Sequence, residues 1–324
     1  MTDLKKAEII NMENQTTVSI VIPFLNEKEG IAVLLKTIEE YYSRKKFDFD
    51  IIFVDDGSKD GTSDIIRNFK PISFPCRLIS LSTNFGSHAA VRAGFLHASG
   101  RYVTCLPADL QISFDTVEKL YNAASEGNDI VYGVREINDV GVVEKIFSRF
   151  YSSMMQRFVI KDFPYKGLET FMISEKVRKV LNQNIESNSS LILQILSMGF
   201  KNKFVNIEKA QRIAGKSKWT LSKKVKLLID SFVAFSFAPI RLVSIIGIFF
   251  FFIGLGWTSY IVFRKIVYDD LVSGWPALLC ILLIGFGITN ISLGIIAEYL
   301  WRTLDASRKR PVFIIDEIIE LHTS

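Results

Sequence analysis

Apolar residues follow two different patterns along this 324-residue chain, and the change of pattern divides it into two parts. Up to about residue 215, short apolar runs alternate with segments whose apolar residues recur at helical spacing. The first run, TVSIVIPF at 17–24, is typical of a strand buried on both faces, and 28–43 has the spacing of an amphipathic helix. Such repetition predicts an α/β domain with a mostly parallel sheet, which binds ligands at the carboxyl ends of its strands.

The alternation continues beyond the first strand and helix. Further strands are predicted over 47–58, 76–82, 101–110 and 129–134, and further helices over 62–69, over 87–98 and from about Phe114. We assign 17–219 to this domain. The preceding segment, 1–16, is polar and without the pattern of a signal peptide, so we expect a flexible N-terminus.

The C-terminal third carries two long stretches without a charged residue. They are the 22 residues between Arg241 and Arg264 and the 27 residues between Asp270 and Glu298. A helix needs about 20 apolar residues to cross the hydrocarbon of a bilayer, so both stretches are predicted to span a membrane as a hairpin over 239–300. A pair of long buried core helices is the alternative interpretation.

Basic residues predict how the hairpin is oriented, and they account for much of the net charge of +5. Seven precede the first stretch with no acid among them, and four follow the second: Lys209, Arg212, Lys216, Lys218, Lys223, Lys224, Lys226, then Arg302, Arg308, Lys309 and Arg310. Positively charged flanks remain in the cytoplasm, so we expect the α/β domain and both termini there.

Two segments beside the hairpin carry further expectations. The segment 220–237 mixes lysines with apolar residues at helical spacing, which favours an amphipathic helix on the membrane surface, with a simple linker helix as the alternative. The segment 301–324 is expected to be a cytoplasmic tail. Part of it, RKRPVFIIDEII, is expected to return to the α/β domain as a strand or a helix.

Other residue types exclude several kinds of site. The three cysteines, Cys76, Cys105 and Cys280, lack the spacing of metal ligands and are interpreted as packing residues. We interpret His88 and His97, on the predicted helix 87–98, as structural residues or as residues that contact the residues of a site without binding its ligand. No Arg-rich helix or base-stacking motif is present, so we expect no nucleic-acid partner.

Three acidic stretches follow predicted strands and therefore belong to one edge of the predicted sheet. They read PFLNE at 23–27, VDDGSKDGT at 54–62 and PADLQ at 107–111. An acid after a strand often caps the next helix, and Asp60 in the second stretch could do only that. The three stretches together, in this order and spacing, indicate a function much more specifically than any one of them alone.

With these motifs, the chain resembles family 2 glycosyltransferases of the GT-A fold. The resemblance covers about 17–220 and lies in the branch of dolichyl-phosphate mannose synthase and bacterial polyprenyl-phosphate glucosyltransferases. Further signatures of the branch are NFGSHAAVRAG at 84–94, VYGVRE at 131–136 and RIAGKSKW at 212–219. The two-span tail resembles that of bacterial bactoprenol glucosyltransferases. The resemblance implies a Rossmann-like nucleotide-sugar domain carried by two transmembrane helices, in a bacterial plasma membrane.

The resemblance also implies which residues bind the donor. Those implied to hold its nucleotide are Pro23, Leu25, Glu27, Asp55 and Ala108. Carboxylates suit this task because they accept hydrogen bonds from base N–H groups and ribose hydroxyls. Asp56 either shares the task or caps its own turn. The donor's phosphates are implied to contact Arg135, Arg212, Ser217 and Lys218, and the last three lie in a loop whose charge also fits a positive membrane flank.

Asp109 and Gln111 match the segment that binds Mg²⁺ or Mn²⁺ in the family. Their oxygen atoms are suitable ligands for such cations, although Asp109 could instead cap the helix that begins near Phe114. Most relatives have Asp-Ala-Asp here, whereas Pro107 replaces the first acid in this chain. Because proline cannot bind a cation through its side chain, we expect weaker metal affinity than in those relatives.

Asp109, Glu169, Arg212 and Lys218 are the residues we expect to act in catalysis. Glu169 lies where the branch has Asp, which serves as general base when the acceptor is a hydroxyl. A phosphate acceptor has its second pKa near ~6 and is already an anionic nucleophile at pH 7, so we expect Glu169 to orient rather than deprotonate.

The sequence therefore favours inverting transfer of a sugar from a nucleotide donor, with uridine preferred by analogy, to polyprenyl phosphate at the cytoplasmic membrane face. The product would be a lipid-linked monosaccharide for use outside the cytoplasm. Partners are the donor, the lipid acceptor, the bilayer and further copies of the chain, and the resemblance implies a tetramer. The alternatives are transfer to a hydroxyl acceptor and a non-catalytic scaffold with a degenerate metal site.

Overall fold

The structure is a computed structural model, and it describes 17–69, 73–135, 149, 151–157, 160, 163–164, 167–184, 190–208, 238–268, 274–308 and 310–321. The chain divides into two compact units. The first comprises 1–153, 162–220 and 311–324, and the second comprises 154–161 and 221–310. The predicted N-terminal segment, the loop at 212–219 and the predicted helix at 220–237 lie outside the described residues.

The first unit is an α/β domain. Its strands are β1 (Val18–Phe24), β2 (Phe49–Asp55), β3 (Cys76–Leu81), β4 (Tyr102–Cys105), β5 (Ile130–Arg135), β6 (Gly167–Ser174), β7 (Asn202–Asn206) and β8 (Ile315–Leu321). Its helices are α1 (Lys28–Ser43), α2 (Thr62–Asn68), α3 (Ser87–His97), α4 (Phe114–Ser125), α5 (Glu175–Gln183) and α6 (Leu191–Ser197).

The eight strands form one sheet in the order β7-β5-β6-β4-β1-β2-β3-β8. β1 pairs parallel with β2 and β4, β2 pairs parallel with β3, and β5 pairs parallel with β7. Two strands run against this direction: β6 is antiparallel to β4 and β5, and β8 is antiparallel to β3. The prediction of an α/β domain with a mostly parallel sheet is confirmed.

The core of the domain lies where helices cover the central strands. All seven residues of β2 are buried, as expected for a strand covered on both faces. Helix α1 buries the side of its surface that carries Ile31, Leu34, Leu35, Ile38 and Tyr41. These residues recur every three or four positions and so lie on one face of the helix. This packing holds the carboxyl ends of β1 and β2 in fixed positions.

β4 is shorter than the sequence predicts. The apolar pattern predicts a strand over 101–110, but the ladder ends at Cys105, and only the Leu106 N–H continues the pairing, to the Val21 carbonyl at 2.9 Å. The next residue, Pro107, has no N–H to donate, and Leu110 has a φ of 56°, which no strand residue adopts. The chain therefore leaves the sheet before PADLQ.

The last strand, β8, completes the sheet after the hairpin. The sequence predicts a strand or a helix within 308–319, and the structure has an edge strand from Ile315 to Leu321 that pairs with β3. Two ion pairs reinforce it: Glu317 meets Arg67 at 2.5 Å and Glu320 meets Arg77 at 3.2 Å. Part of the predicted tail therefore belongs to the α/β domain.

The second unit contains two long helices, α7 (Ala238–Tyr268) and α8 (Trp275–Arg308). Within them, Ile245–Tyr268 and Ile284–Asp305 are long and apolar enough to cross a membrane, judged by length and composition. Helix α8 continues past the end predicted at residue 300. No proline or glycine follows until Pro311, so the sequence provides no earlier stop signal.

Candidate active site

Three of the predicted motifs meet at one edge of the sheet. Because β1, β2, β3 and β4 run parallel, they all end at this edge, which we term the carboxyl edge. The segments 25–27, 56–62 and 106–111 leave the sheet here. The Asp56 N–H donates to the Phe24 carbonyl at 3.0 Å, so β1 and β2 stay hydrogen-bonded up to the point where their loops begin.

The loops after β1 and β2 are joined through Asn26. Its backbone N–H donates to Ser58 Oγ at 3.0 Å, and its side-chain oxygen accepts the Lys59 N–H at 2.9 Å. Asn26 has a φ of 52°, a conformation that asparagine tolerates better than most residues. The two loops therefore form one unit, which positions the neighbouring Leu25 and Glu27.

Asp60 and Thr62 cap two helices at once. Asp60 accepts the N–H of Thr62 at 3.0 Å and that of Lys28 at 3.1 Å, while Thr62 Oγ1 accepts the N–H of Glu27 at 3.1 Å. Lys28 begins α1 and Thr62 begins α2, so the cap of α1 comes from a different loop. Burial alone would raise the pKa of Asp60, but the hydrogen bonds from Thr62 and Lys28 lower it overall. Gly61 stands at the N-cap position of α2, and Asp60 next to it caps both helices through its side chain.

The adjacent acids Asp55 and Asp56 have different surroundings. Asp55, which is 5% exposed, accepts the Ser58 N–H at 2.7 Å and the Ser63 hydroxyl. Asp56, 4% exposed, accepts the N–H of Phe85 at 2.7 Å and that of Gly86 at 3.0 Å. Burial raises the pKa of Asp56, although these two hydrogen bonds oppose the shift. Asp56 thus fastens the β2 loop to the loop after β3 instead of capping its own turn.

Gly57 allows these two loops to approach closely. Its φ is +77°, and a Cβ placed on it would lie 2.7 Å from the carbonyl carbon of Thr83. No side chain fits in that space, and the positive φ also favours glycine. The Asp-Gly pair at 56–57 therefore connects the loop after β2 to the loop after β3.

Asp109 and Gln111 lie together in the turn that follows β4. Asp109 Oδ1 accepts the Gln111 N–H at 3.2 Å across Leu110. The helix α4 has Ser113 at its N-cap position, so Asp109 is not the cap of that helix. Ala108 is 8% exposed, and Pro107 and Asp109 are partly exposed. The oxygen ligands available for a divalent cation are thus the Asp109 carboxylate and the Gln111 amide.

Within the described part of the chain, no three His, Cys, Asp or Glu side chains lie close enough to hold a metal ion. Carboxylate and amide oxygens fit Mg²⁺ or Mn²⁺, but two protein ligands leave most coordination positions to other groups. A cation at Asp109 and Gln111 would therefore complete its coordination with oxygens from water or from a bound substrate.

Glu169 and Arg135 meet on the other side of β4. The register places Gly133 opposite Thr170 and Val134 opposite Leu168, so Glu169 is the extra residue of a β-bulge in β6. Glu169 Oε1 lies 3.2 Å from Arg135 Nε, and their side chains are 15% and 37% exposed. The contact is an ion pair rather than a hydrogen bond, since Arg135 Nε has no hydrogen-bond partner among the described residues.

A polar pocket of about 580 Å³ opens between the ends of β2 and β3. Of the predicted site residues, Asp55 lines it, while Pro23, Leu25, Glu27 and Ala108 do not. Other polar residues of its wall are Ser63, Asp64, Ser80, Ser82 and Asp316. Asp316 comes from β8, and no motif in the sequence points to it.

The remaining residues for which the sequence predicts a role either lie outside the described residues or are structural. Arg212, Ser217 and Lys218 lie outside the described residues. His88 is structural: its Nδ1 accepts the Leu191 N–H at 3.4 Å, and burial lowers its pKa. Burial raises the pKa of both Cys76 and Cys105 to about 12, which keeps these thiols protonated and suits packing residues.

Comparison with known proteins shows the family of the chain. A sequence profile described as Glycosyl transferase family 2 matches residues 19–182, about half of the chain. The bactoprenol glucosyl transferase of Shigella phage SfV is 30% identical over 311 residues, which cover 92% of this chain and 97% of that protein. The chain is a family 2 glycosyltransferase.

Other relatives of this glycosyltransferase match it over similar lengths. The uncharacterized glycosyltransferase YkcC of Bacillus subtilis (strain 168) is 29% identical over 310 residues, covering 94% of this chain and 95% of that protein. The prophage bactoprenol glucosyl transferase homolog of Escherichia coli (strain K12) is 29% identical over 305 residues, covering 93% and 99%. The resemblance read from the motifs is therefore confirmed, as is the expectation of an enzyme.

The family 2 glycosyltransferase has a GT-A-like α/β fold. Among solved structures, S. aureus TarS 1–349 covers 59% of this chain and 58% of its own, with a TM-score of 0.41 and 18% identity. An overlap of this size is partial. The fold assignment rests instead on the family match and on the mostly parallel sheet.

Proposed function

We propose that this glycosyltransferase transfers a sugar, with inversion, from a uridine diphosphate sugar to polyprenyl phosphate at the cytoplasmic face of a membrane. The observation that carries the proposal is the length of the match to the phage bactoprenol glucosyl transferase. A match over 92% of the chain includes the apolar helices as well as the α/β domain. A lipid acceptor explains why a sugar-transferring domain is joined to two such helices.

The donor would bind along the carboxyl edge. Its nucleoside would contact Asp55 and the loop of Pro23, Leu25 and Glu27, with Ala108 beneath it. Its diphosphate would lie towards the turn after β4, where Asp109 and Gln111 would hold Mg²⁺ or Mn²⁺. A bound cation would neutralise charge that develops on the leaving diphosphate. Arg135 is proposed to contact the diphosphate, and Arg212, Ser217 and Lys218 are proposed to act with it.

The transfer is a single displacement at the anomeric carbon. An oxygen of the acceptor phosphate forms the new bond, and the nucleoside diphosphate leaves with the electron pair of the old one. No proton must be removed, because a phosphate monoester has its second pKa near ~6 and is largely ionised at pH 7. The ion pair of Glu169 with Arg135 suits this chemistry, since the arginine balances the charge of Glu169 and the pair can orient an anionic acceptor.

The membrane arrangement is part of the proposal. The two apolar helices would form a transmembrane hairpin, with the α/β domain and both termini in the cytoplasm. The loop at 212–219 and the segment 220–237 would then lie at the lipid headgroups, close to the acceptor. Assembly into an oligomer, and a tetramer in particular, stays a prediction.

The proposal is tested with membranes that contain the protein, given polyprenyl phosphate, Mn²⁺ and a panel of nucleotide sugars. We expect a lipid-linked monosaccharide from a uridine diphosphate sugar, and none after chelation of the metal. Polyprenol without phosphate serves as the matched control and should give no product. Product from polyprenol would favour the hydroxyl-acceptor alternative, and no product from any donor would contradict the proposal.

A further inference from the structure

The C-terminal strand contains a β-bulge next to the polar pocket. The register of β3 and β8 places Ser80 opposite Glu317 and Leu81 opposite Ile315, so Asp316 has no residue opposite it. Pairing then continues, because the Ser82 N–H donates to the Ile314 carbonyl at 3.0 Å. A bulge turns the side chain of its extra residue away from the regular alternation. Here the extra residue lines the pocket.

The Asp316 carboxylate differs from the other acids of β8. Glu317 pairs with Arg67 at 2.5 Å, and Glu320 pairs with Arg77 at 3.2 Å. Asp316 is exposed, and it makes no hydrogen bond or ion pair with any described residue. Two of the three carboxylates on this strand therefore fasten it to the domain, whereas the third lines the pocket and is bonded to no described residue.

The chemistry of the pocket indicates what this carboxylate can bind. Three carboxylates line the pocket, from Asp55, Asp64 and Asp316. Among the described residues, the lining cations are Lys59 and Arg67, and Arg67 is paired with Glu317. This balance disfavours a diphosphate. It suits a neutral group rich in N–H and O–H donors, since carboxylates are acceptors only. A nucleoside is such a group, and about 580 Å³ lies within the usual range for small-ligand pockets.

We propose that Asp316 is a specificity-determining residue of the donor site, and that its carboxylate accepts hydrogen bonds from the nucleoside of the nucleotide sugar. The inference rests on the proposed function for the class of donor, and it adds a residue from beyond the apolar helices. Part of the nucleoside lies in the pocket between β2, β3 and β8, whose wall includes Asp55 and Asp316, and the rest reaches the loop after β1. The donor pocket is therefore complete only when the chain after the second apolar helix has returned to the sheet.

The role predicts a specific kinetic effect. The nucleoside does not change during transfer, so its contacts contribute equally to binding in the ground state and the transition state. Removing such a contact raises KM for the donor and leaves kcat unchanged. A hydrogen bond to a charged acceptor is worth about tenfold or more in affinity. We therefore expect Asp316→Ala to raise the donor KM about tenfold.

The experiment uses the full-length protein in detergent and measures the binding of UDP, GDP, uridine and inorganic pyrophosphate by calorimetry. Wild type is compared with Asp316→Ala and with Glu320→Ala, which removes a carboxylate of the same strand outside the pocket. Thermal unfolding of each variant shows that it is folded. We expect Asp316→Ala to weaken UDP and uridine by the same factor of about ten and to leave pyrophosphate unchanged. Glu320→Ala should bind all four ligands as wild type does.

Two results would overturn the inference while the proposed function stands. One is unchanged UDP binding by Asp316→Ala, and the other is an equal loss for UDP and pyrophosphate, which would place Asp316 near the phosphates. A wild-type protein that binds neither UDP nor GDP would remove the proposed donor class itself, and the inference with it.

Discussion

Two β-bulges at the carboxyl edge each carry an acid, and the surroundings of the two acids differ. Glu169 in β6 is 15% exposed and forms an ion pair with Arg135. Asp316 in β8 is exposed, lines a pocket and has no partner among the described residues. A β-bulge thus presents one acid that is paired with an arginine and one acid that no described residue bonds.

This difference shows that backbone placement alone does not decide the chemistry of an acid. An ion-paired carboxylate holds its partner in position, and its charge is partly compensated. An unpaired carboxylate at a pocket wall accepts hydrogen bonds from whatever enters. We therefore assign Glu169 to orientation of the acceptor and Asp316 to recognition of the donor.

Asp109 lies outside both bulges, and replacing it by alanine should have a larger effect on turnover than replacing either bulged acid. We expect turnover to fall by about 10²- to 10³-fold, because the turn after β4 would lose its one carboxylate ligand for the proposed cation. Product formation in membranes measures the effect at saturating Mn²⁺. Asp115→Ala removes an exposed carboxylate from the first turn of α4 and should keep wild-type turnover. Equal turnover of the two variants would mean that Asp109 holds no cation.

Arg135 and Glu169 are expected to act as a unit. Arg135→Ala should lower turnover about 100-fold, because it removes a proposed phosphate contact and breaks the ion pair with Glu169. In a double-mutant cycle with Glu169→Ala, we expect an interaction of about 1 kcal/mol, within the range found for residues in contact. The cycle is measured on kcat/KM. Strictly additive losses would contradict the view of Glu169 as one half of a pair.

Pro107→Asp tests the turn after β4 from the opposite direction. The added carboxylate should tighten Mn²⁺ binding about tenfold, since it supplies a second acidic ligand beside Asp109. Titration of the full-length protein with Mn²⁺, in the presence of UDP, measures the change. Pro107→Ala is the control and should bind Mn²⁺ as wild type does. Unchanged affinity in Pro107→Asp would mean that position 107 does not face the cation.

Asp60 is an acid with a structural role, and Asp60→Asn allows a comparison with the acids in the two bulges, Glu169 and Asp316. The two carboxylate oxygens of Asp60 accept different N–H groups and an amide has only one such oxygen, so the variant should lose about 1 kcal/mol of stability and lower Tm by about 2–4 °C. The folded-state pKa of Asp60 lies below its ordinary value of 3.8. Its contribution is therefore present above about pH 4 and is lost as the pH falls through the lowered pKa.

Thermal unfolding between pH 3 and 7 measures the effect of Asp60→Asn. The difference from wild type should shrink at the acid end, and the KM for the donor should change little. A constant difference at every pH would contradict the assignment of the cap to the ionised carboxylate.

The sequence predicts the first half of the α/β domain well, because each element carries its own signal. β1, β2 and β3 are apolar runs with acids or polar turns at their ends, and α1 has clear helical spacing. The meeting of Asp55 and Asp109 at one edge follows from parallel pairing alone. The confirmed family adds the expectation that this edge binds a nucleotide sugar.

The sequence predicts the bulges poorly, because a bulge depends on two strands and not on one. Nothing near Glu169 or Asp316 shows which residue of the partner strand lies opposite. Asp316 is also separated from β3 by more than 200 residues, including both apolar helices. The role of Asp56 was equally hidden, since its partners, the N–H groups of Phe85 and Gly86, belong to another loop.

The most direct test of the account is the pH dependence of turnover in Glu169→Gln, measured with polyprenyl phosphate and a saturating donor. If the acceptor phosphate is itself the nucleophile, the variant should keep at least about a tenth of wild-type turnover. Both proteins should then lose activity together as the pH falls through about 6, where the phosphate takes up its second proton. If Glu169 is the general base, turnover should fall at least about 10³-fold in the variant while the lipid still binds, and that result would contradict a phosphate nucleophile oriented by Glu169 and Arg135.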